Sequence, residues 1–96
     1  MAYREEQTLK EVLTKMLEVY KLKGKLNQTR IRHLWAELMG PSIQRQTTDI
    51  RIQRKKLIVH LSSASLRNEL SYGREKIKKM INDKLGEVYI EEVILR

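Results

Sequence analysis

The stretch TTDIRIQRKKLIVHL, residues 47–61, decides the fold. Ile50 and Ile52 alternate with Asp49, Arg51 and Gln53, and Leu57, Val59 and Leu61 alternate with Ile58, His60 and Ser62. Alternation with a period of two sends one set of side chains to each face of a strand. Only Arg54-Lys55-Lys56 separates the two runs, so they read as a β-hairpin with a wholly basic three-residue tip.

Toward the N-terminus the period becomes helical. Ile31, Leu34, Trp35 and Leu38 follow the i, i+3, i+4, i+7 pattern of a helix that starts near Asn27 or Thr29 and stops at Gly40-Pro41. Trp35 falls on that stripe, a core position. Ser42 to Gln46 have room for one short further turn. Earlier still, Thr8-Leu9-Lys10-Glu11 is a capping box. It opens a helix striped by Leu9, Val12, Leu13, Met16, Leu17, Val19 and Tyr20, which Gly24 ends after Lys21 and Lys23. The stripe spans roughly 160°. That is wide enough for core on one side and a partner or dimer surface on the other.

Toward the C-terminus, Ser62 to Ser65 offer N-caps, and Leu66, Leu70, Gly73, Ile77, Met80 and Ile81 keep one phase. The reading is a single helix over 64–85, weakened at Gly73 by ~1 kcal/mol relative to Ala and capped by Gly86. Val88 to Leu95 form a last strand. Its alternation slips at Glu91-Glu92, which marks a bulge or an edge position. The order is α-α-β-β-α-β. Layer logic gives an α+β domain, a three-stranded sheet with its helices on one face. One domain covers 1–96, an N-terminal helix over 1–26 followed by the rest.

Composition narrows the function. The chain has 96 residues, 41% of them hydrophobic and 33% charged, which reads as folded and not disordered. It has no Cys, which excludes disulfides, thiolate zinc sites and thiol catalysis. No apolar run approaches the ~20 residues of a membrane span, and the polar start Met-Ala-Tyr-Arg-Glu-Glu-Gln is not a signal peptide. A cytoplasmic protein without membrane contact is expected. His33 and His60 lie in different elements with no third ligand at metal spacing. Glu91 and Glu92 point to opposite strand faces, and no phosphate loop or nucleophile elbow occurs. The expectation is a protein that is not an enzyme and holds neither metal nor cofactor.

The net charge is +8, and residues 21–56 carry ten basic side chains against two acidic ones. Such a field attracts phosphate backbones and acidic protein surfaces alike. The candidate phosphate contacts are Arg51, Arg54, Lys55 and Lys56 on the hairpin, with Arg74, Lys76 and Lys79 on the third helix. Each cluster also fits an ordinary solvated face. Phosphate contacts of this kind would be non-specific and salt-dependent. Aromatics free to stack on bases are few: Tyr72, Tyr89 and Tyr3. The rival expectation is a protein–protein adaptor whose basic surface meets an acidic partner and whose helical stripe supplies the anchor. Monomer and homodimer both stay open.

From Ile31 onward the ordered features resemble the DciA-like family of bacterial proteins associated with the replicative helicase. The pieces are Trp35-Ala-Glu-Leu-Met-Gly40, Ile43 with Thr47 and Thr48, Leu57-Ile-Val-His-Leu-Ser-Ser-Ala-Ser65 with Leu66-Arg-Asn-Glu-Leu70, and Ile81-Asn-Asp-Lys-Leu-Gly86 before Val93-Ile-Leu-Arg96. They cover about two-thirds of the chain, residues 27–96. The resemblance implies a K-homology-like domain, nucleic-acid binding with DNA expected before RNA, and contact with the replicative helicase. Two departures bear on this. Leu66 stands where the family often has Trp. Gly73 stands alone in Ser71-Tyr-Gly-Arg-Glu75, so the Gly-x-x-Gly backbone clamp of nucleic-acid-binding K-homology domains is missing. The chain looks like a minimal member, without the extra tail or zinc-ribbon-like segment of longer relatives.

Overall fold

The computed structural model describes residues 8–96. Its elements are α1 (Leu9–Met39), α2 (Pro41–Gln46), β1 (Thr47–Gln53), β2 (Lys56–Leu61), α3 (Ala64–Ser71), α4 (Arg74–Leu85) and β3 (Glu92–Leu95). The α+β class and the three-stranded sheet backed by helices are those the sequence implies. Tyr3 and the polar start of the chain lie outside the described residues.

Helix α1 corrects the expected break. Thr8 caps it, its hydroxyl accepting from the Glu11 N–H at 3.2 Å, but the helix runs through Gly24 to Met39 and does not end by residue 26. Gly24 keeps a negative φ, unlike Gly40 and Gly86. A lone helical Gly costs only ~1 kcal/mol against Ala, and no Pro interrupts residues 9–39. The true stop is Gly40, at φ 87°, followed by Pro41 in the first turn of α2.

The hairpin forms with a shorter turn than expected. Gln53 pairs with Lys56, so the loop is Arg54-Lys55 alone. Both residues sit at positive φ, 52° and 64°. A two-residue loop with both φ positive matches the twist of the strands, and Asn-Gly is its favoured sequence.

Two helices replace the single helix expected over 64–85. Ser63 caps α3, accepting from the Leu66 N–H at 3.2 Å, and the chain turns at Tyr72-Gly73 before α4. A straight 22-residue helix would be about 33 Å long, beyond the ~23 Å of a seven-residue strand. The break lets Leu66 and Leu70 of α3, as well as Ile77, Ile81 and Leu85 of α4, pack on one core.

Strand β2 is central, antiparallel to β1 and parallel to β3. β3 is therefore an edge strand, and it begins at Glu92, not Val88. Residues 87–91 instead form a connection pinned by Asn82. The buried Asn82 donates through Nδ2 to the Ile90 carbonyl at 2.8 Å, and its Oδ1 accepts from the Tyr89 and Ile90 N–H groups at 3.1 and 2.8 Å.

The core lies between the helices and one face of the sheet. It joins Ile31 and Trp35 to Ile50, Leu57, Val59, Leu61 and Val93. Trp35 is fully buried, and its Nε1 donates to the Thr47 hydroxyl at 3.0 Å. That hydroxyl donates on to the Ile43 carbonyl at 2.8 Å, which ties α2 to β1. Among the described residues, no helix is long and apolar enough to cross a membrane.

Candidate nucleic-acid interface

The cross-strand register sorts the polar side chains onto the open face of the sheet. Asp49 lies opposite His60, Arg51 opposite Ile58 and Gln53 opposite Lys56; Lys56 and Ile58 then lie beside Glu92 and Ile94. Arg51 and Lys56 therefore share that face, and Arg54 and Lys55 project from its end. The Glu91 N–H bonds the Lys55 carbonyl at 2.8 Å, so the edge of the sheet steadies the turn.

Arg74 opens α4 at the same end. It shares a depression of about 330 Å³ with Ser71, Tyr72, Glu75, Glu92 and Val93. Glu92 thus stands between Lys56 and Arg74. Lys76 and Lys79 are exposed on α4, on the side turned away from Ile77 and Ile81. Because α4 backs the core face of the sheet, these two lysines do not join the open-face group. The seven cations fall into five at the hairpin end and two on the helical layer.

Carboxylates stand among the first group. Asp49 accepts from Arg51 Nε at 2.7 Å; Lys55 lies 3.9 Å from Glu91 and Lys56 3.6 Å from Glu92. The Arg51 hydrogen bond holds the Asp49 carboxyl below its ordinary pKa, over a smaller opposing desolvation. Asp49 is therefore ionised at neutral pH and competes with any phosphate for Arg51. Among the described residues Arg54, Arg74, Lys76 and Lys79 have no carboxylate within ion-pair distance. Exposed pairs of this kind are worth ~0–1 kcal/mol, so a phosphate can displace the carboxylates of the other three.

Of the aromatics, Tyr72 is 85% exposed beside Arg74, whereas Tyr89 packs against the core. His60 is half-buried and faces Asp49; His33 is exposed on α1. No group of three His, Cys, Asp or Glu suited to a metal ion occurs among the described residues. The sequence reading missed Asn82. Its one signal is an amide between Ile81 and Leu85 on the buried side of an otherwise apolar stripe.

The fold and surface define a small α+β domain with a charge-interleaved hairpin end and a long helix that carries an apolar stripe. The chain belongs to the DciA family, described as Dna[CI] antecedent, whose model matches residues 8–95. That match takes in α1, beyond the stretch that carries the resemblance in the sequence. The family is associated with the replicative helicase. No curated protein and no solved structure matches the chain.

Proposed function

We propose that this chain is a non-enzymatic, cytoplasmic accessory protein of DNA replication that works with the replicative helicase and holds nucleic acid by its phosphates. Arg51, Arg54, Lys55, Lys56 and Arg74 form the main contact, with Lys76 and Lys79 as a second, separate one. DNA is the expected polymer.

One observation carries the reading. Arg54 and Lys55 occupy left-handed backbone positions that disfavour both side chains by roughly 1–2 kcal/mol each. Asn-Gly would fit the same turn without that strain. A tip that keeps two cations against its own backbone preference points to a use for the charge. The α3–α4 turn at Tyr72-Gly73 supports the same end of the molecule. It lies between two helices, where K-homology domains of the expected kind carry their clamp, and it presents an exposed ring beside a guanidinium. A base stacked on Tyr72 with its phosphate on Arg74 would replace the missing Gly-x-x-Gly.

Fluorescence anisotropy with single- and double-stranded DNA at several salt concentrations tests this. Five single-strand phosphate contacts give a slope of log K against log salt near −3.5, and all seven near −5. The separation of the two patches predicts the smaller value for a short oligonucleotide. Tyr72→Ala should leave stability unchanged and weaken single-strand binding between about fivefold and hundredfold, with little effect on duplex.

The exposed stripe of α1 favours a second reading, a protein–protein adaptor that never touches nucleic acid. Absence of DNA binding at low salt would select it.

A further inference from the structure

Residues 18 apart in an α-helix are five turns apart and share one side. In α1 that step carries Leu13 onto Ile31, Met16 onto Leu34, Leu17 onto Trp35 and Tyr20 onto Leu38. The second member of each pair is buried in, or packed against, the core. The first is exposed in every case, Leu17 and Tyr20 at 60% and 64%. All residues from Thr8 to Lys23 are exposed, and the first buried one is Asn27. Residues 9–26 thus leave the body as an arm about 27 Å long, in a molecule 64 Å long and 22 × 19 Å across. Helices in proteins draw most of their stability from packing an apolar face, and continuous exposed apolar faces mark interaction sites.

The charges around the stripe choose among occupants. Lys10 and Lys21 border it on one side and Lys15 on the other, Lys23 falls within it at the end nearest the body, and Glu11 and Glu18 lie at its back, as the helical period requires. A second copy docked on the same face would bring lysines against lysines. A flat lipid surface is blocked by shape, because the arm's apolar face points to the side on which the sheet and α4 pack against the rest of α1. A protein surface that fits the angle between arm and body meets both conditions, provided that its rim is acidic. Lys23 already makes such a contact within the chain, its Nζ 3.2 Å from Glu87 where the arm leaves the body.

We propose that residues 9–26 of α1 are a docking arm that lies in an apolar groove rimmed by Asp and Glu on the replicative helicase. The choice of helicase rests on the proposed function. The test measures binding of the full chain to the purified helicase of the same organism, with circular dichroism to confirm folding. Leu13→Ser, Met16→Ser and Tyr20→Ser combined should weaken binding on the order of tenfold or more. Lys10→Glu, Lys15→Glu and Lys21→Glu combined should do the same, most strongly at low salt. Val88→Ser, an equally exposed apolar site outside the arm, should change nothing.

If the wild-type chain binds and both arm variants bind as well as it does, the arm is not the docking element, though the helicase reading stands. If only the serine variant fails, the acidic rim is wrong. If the wild-type chain does not bind, the helicase reading falls and the proposal with it. Sedimentation of the chain alone should show a monomer; a dimer abolished by the serine variant would put a second copy in the groove's place. Arm-dependent co-sedimentation with phosphatidylglycerol vesicles would assign the face to membranes and overturn the proposal equally.

Discussion

Asn82→Leu should destabilise the chain by about 3–5 kcal/mol, even though it adds apolar bulk at a buried position. The amide of Asn82 serves three backbone groups of residues 89 and 90 at once, and Ile90 is fully buried. Leucine at 82 would leave the Ile90 N–H and the Ile90 carbonyl without partners, each costing ~1–3 kcal/mol where water cannot reach, and would leave the Tyr89 N–H only its 3.0 Å bond to the Glu87 carbonyl. The loss also reaches the candidate interface. Residues 87–91 lead into Glu91, whose N–H holds the hairpin turn, and into β3, which forms the edge beside Lys56. Asn82→Asp keeps the two acceptor bonds and loses the donor, so it should cost less than leucine. Chemical denaturation measures both. A leucine variant within about 1 kcal/mol of wild type would mean that the connection is held by packing alone.

Arg54→Glu, Lys55→Glu and Lys56→Glu combined should lower single-strand DNA affinity at least about a hundredfold at low salt, and should flatten the salt slope by about 2. Three phosphate contacts disappear, and three new carboxylates join Asp49, Glu91 and Glu92 at the same end. That end then repels the polymer. All three side chains are exposed and their ion pairs are weak, so the fold should survive. The readout is anisotropy on the same oligonucleotide, with a thermal melt for stability. Unchanged affinity at equal stability would remove the hairpin from the interface and leave Arg74, Lys76 and Lys79 to carry any binding.

The legible and illegible parts of this chain differ in the range of the interactions that set them. Alternation at Ile50–Ile52 and Leu57–Leu61 is local, and the hairpin, its sheet face and the α+β class follow from it. Glycine is ambiguous when its φ is unknown. Gly40 and Gly86 take positive φ and stop helices, whereas Gly24 lies inside one and Gly73 turns the chain at negative φ. Sequence spacing alone does not separate these cases, so α1 reads as two helices and α3–α4 as one.

The same limit applies to the candidate site. The cations are plain in the sequence, and the Asp49–Arg51 pair is two residues apart. Glu91 and Glu92, however, reach Lys55 and Lys56 only because β3 pairs parallel to β2. Lys76 and Lys79 are separated from the hairpin only once α4 is placed on the core face. The phase of the stripe in α1 is readable, but not that half of it lies beyond the body. That depends on how far the sheet extends.

The double substitution Arg54→Asn, Lys55→Gly tests the central claim most directly, because it sets charge against backbone preference at one turn. If the tip keeps its cations in order to hold phosphate, the variant will be more stable than wild type by about 1–2 kcal/mol for each of the two positions. It will also bind single-stranded DNA more weakly, with a salt slope shallower by about 1.4. A variant that gains stability and binds DNA with wild-type affinity and slope would contradict the account.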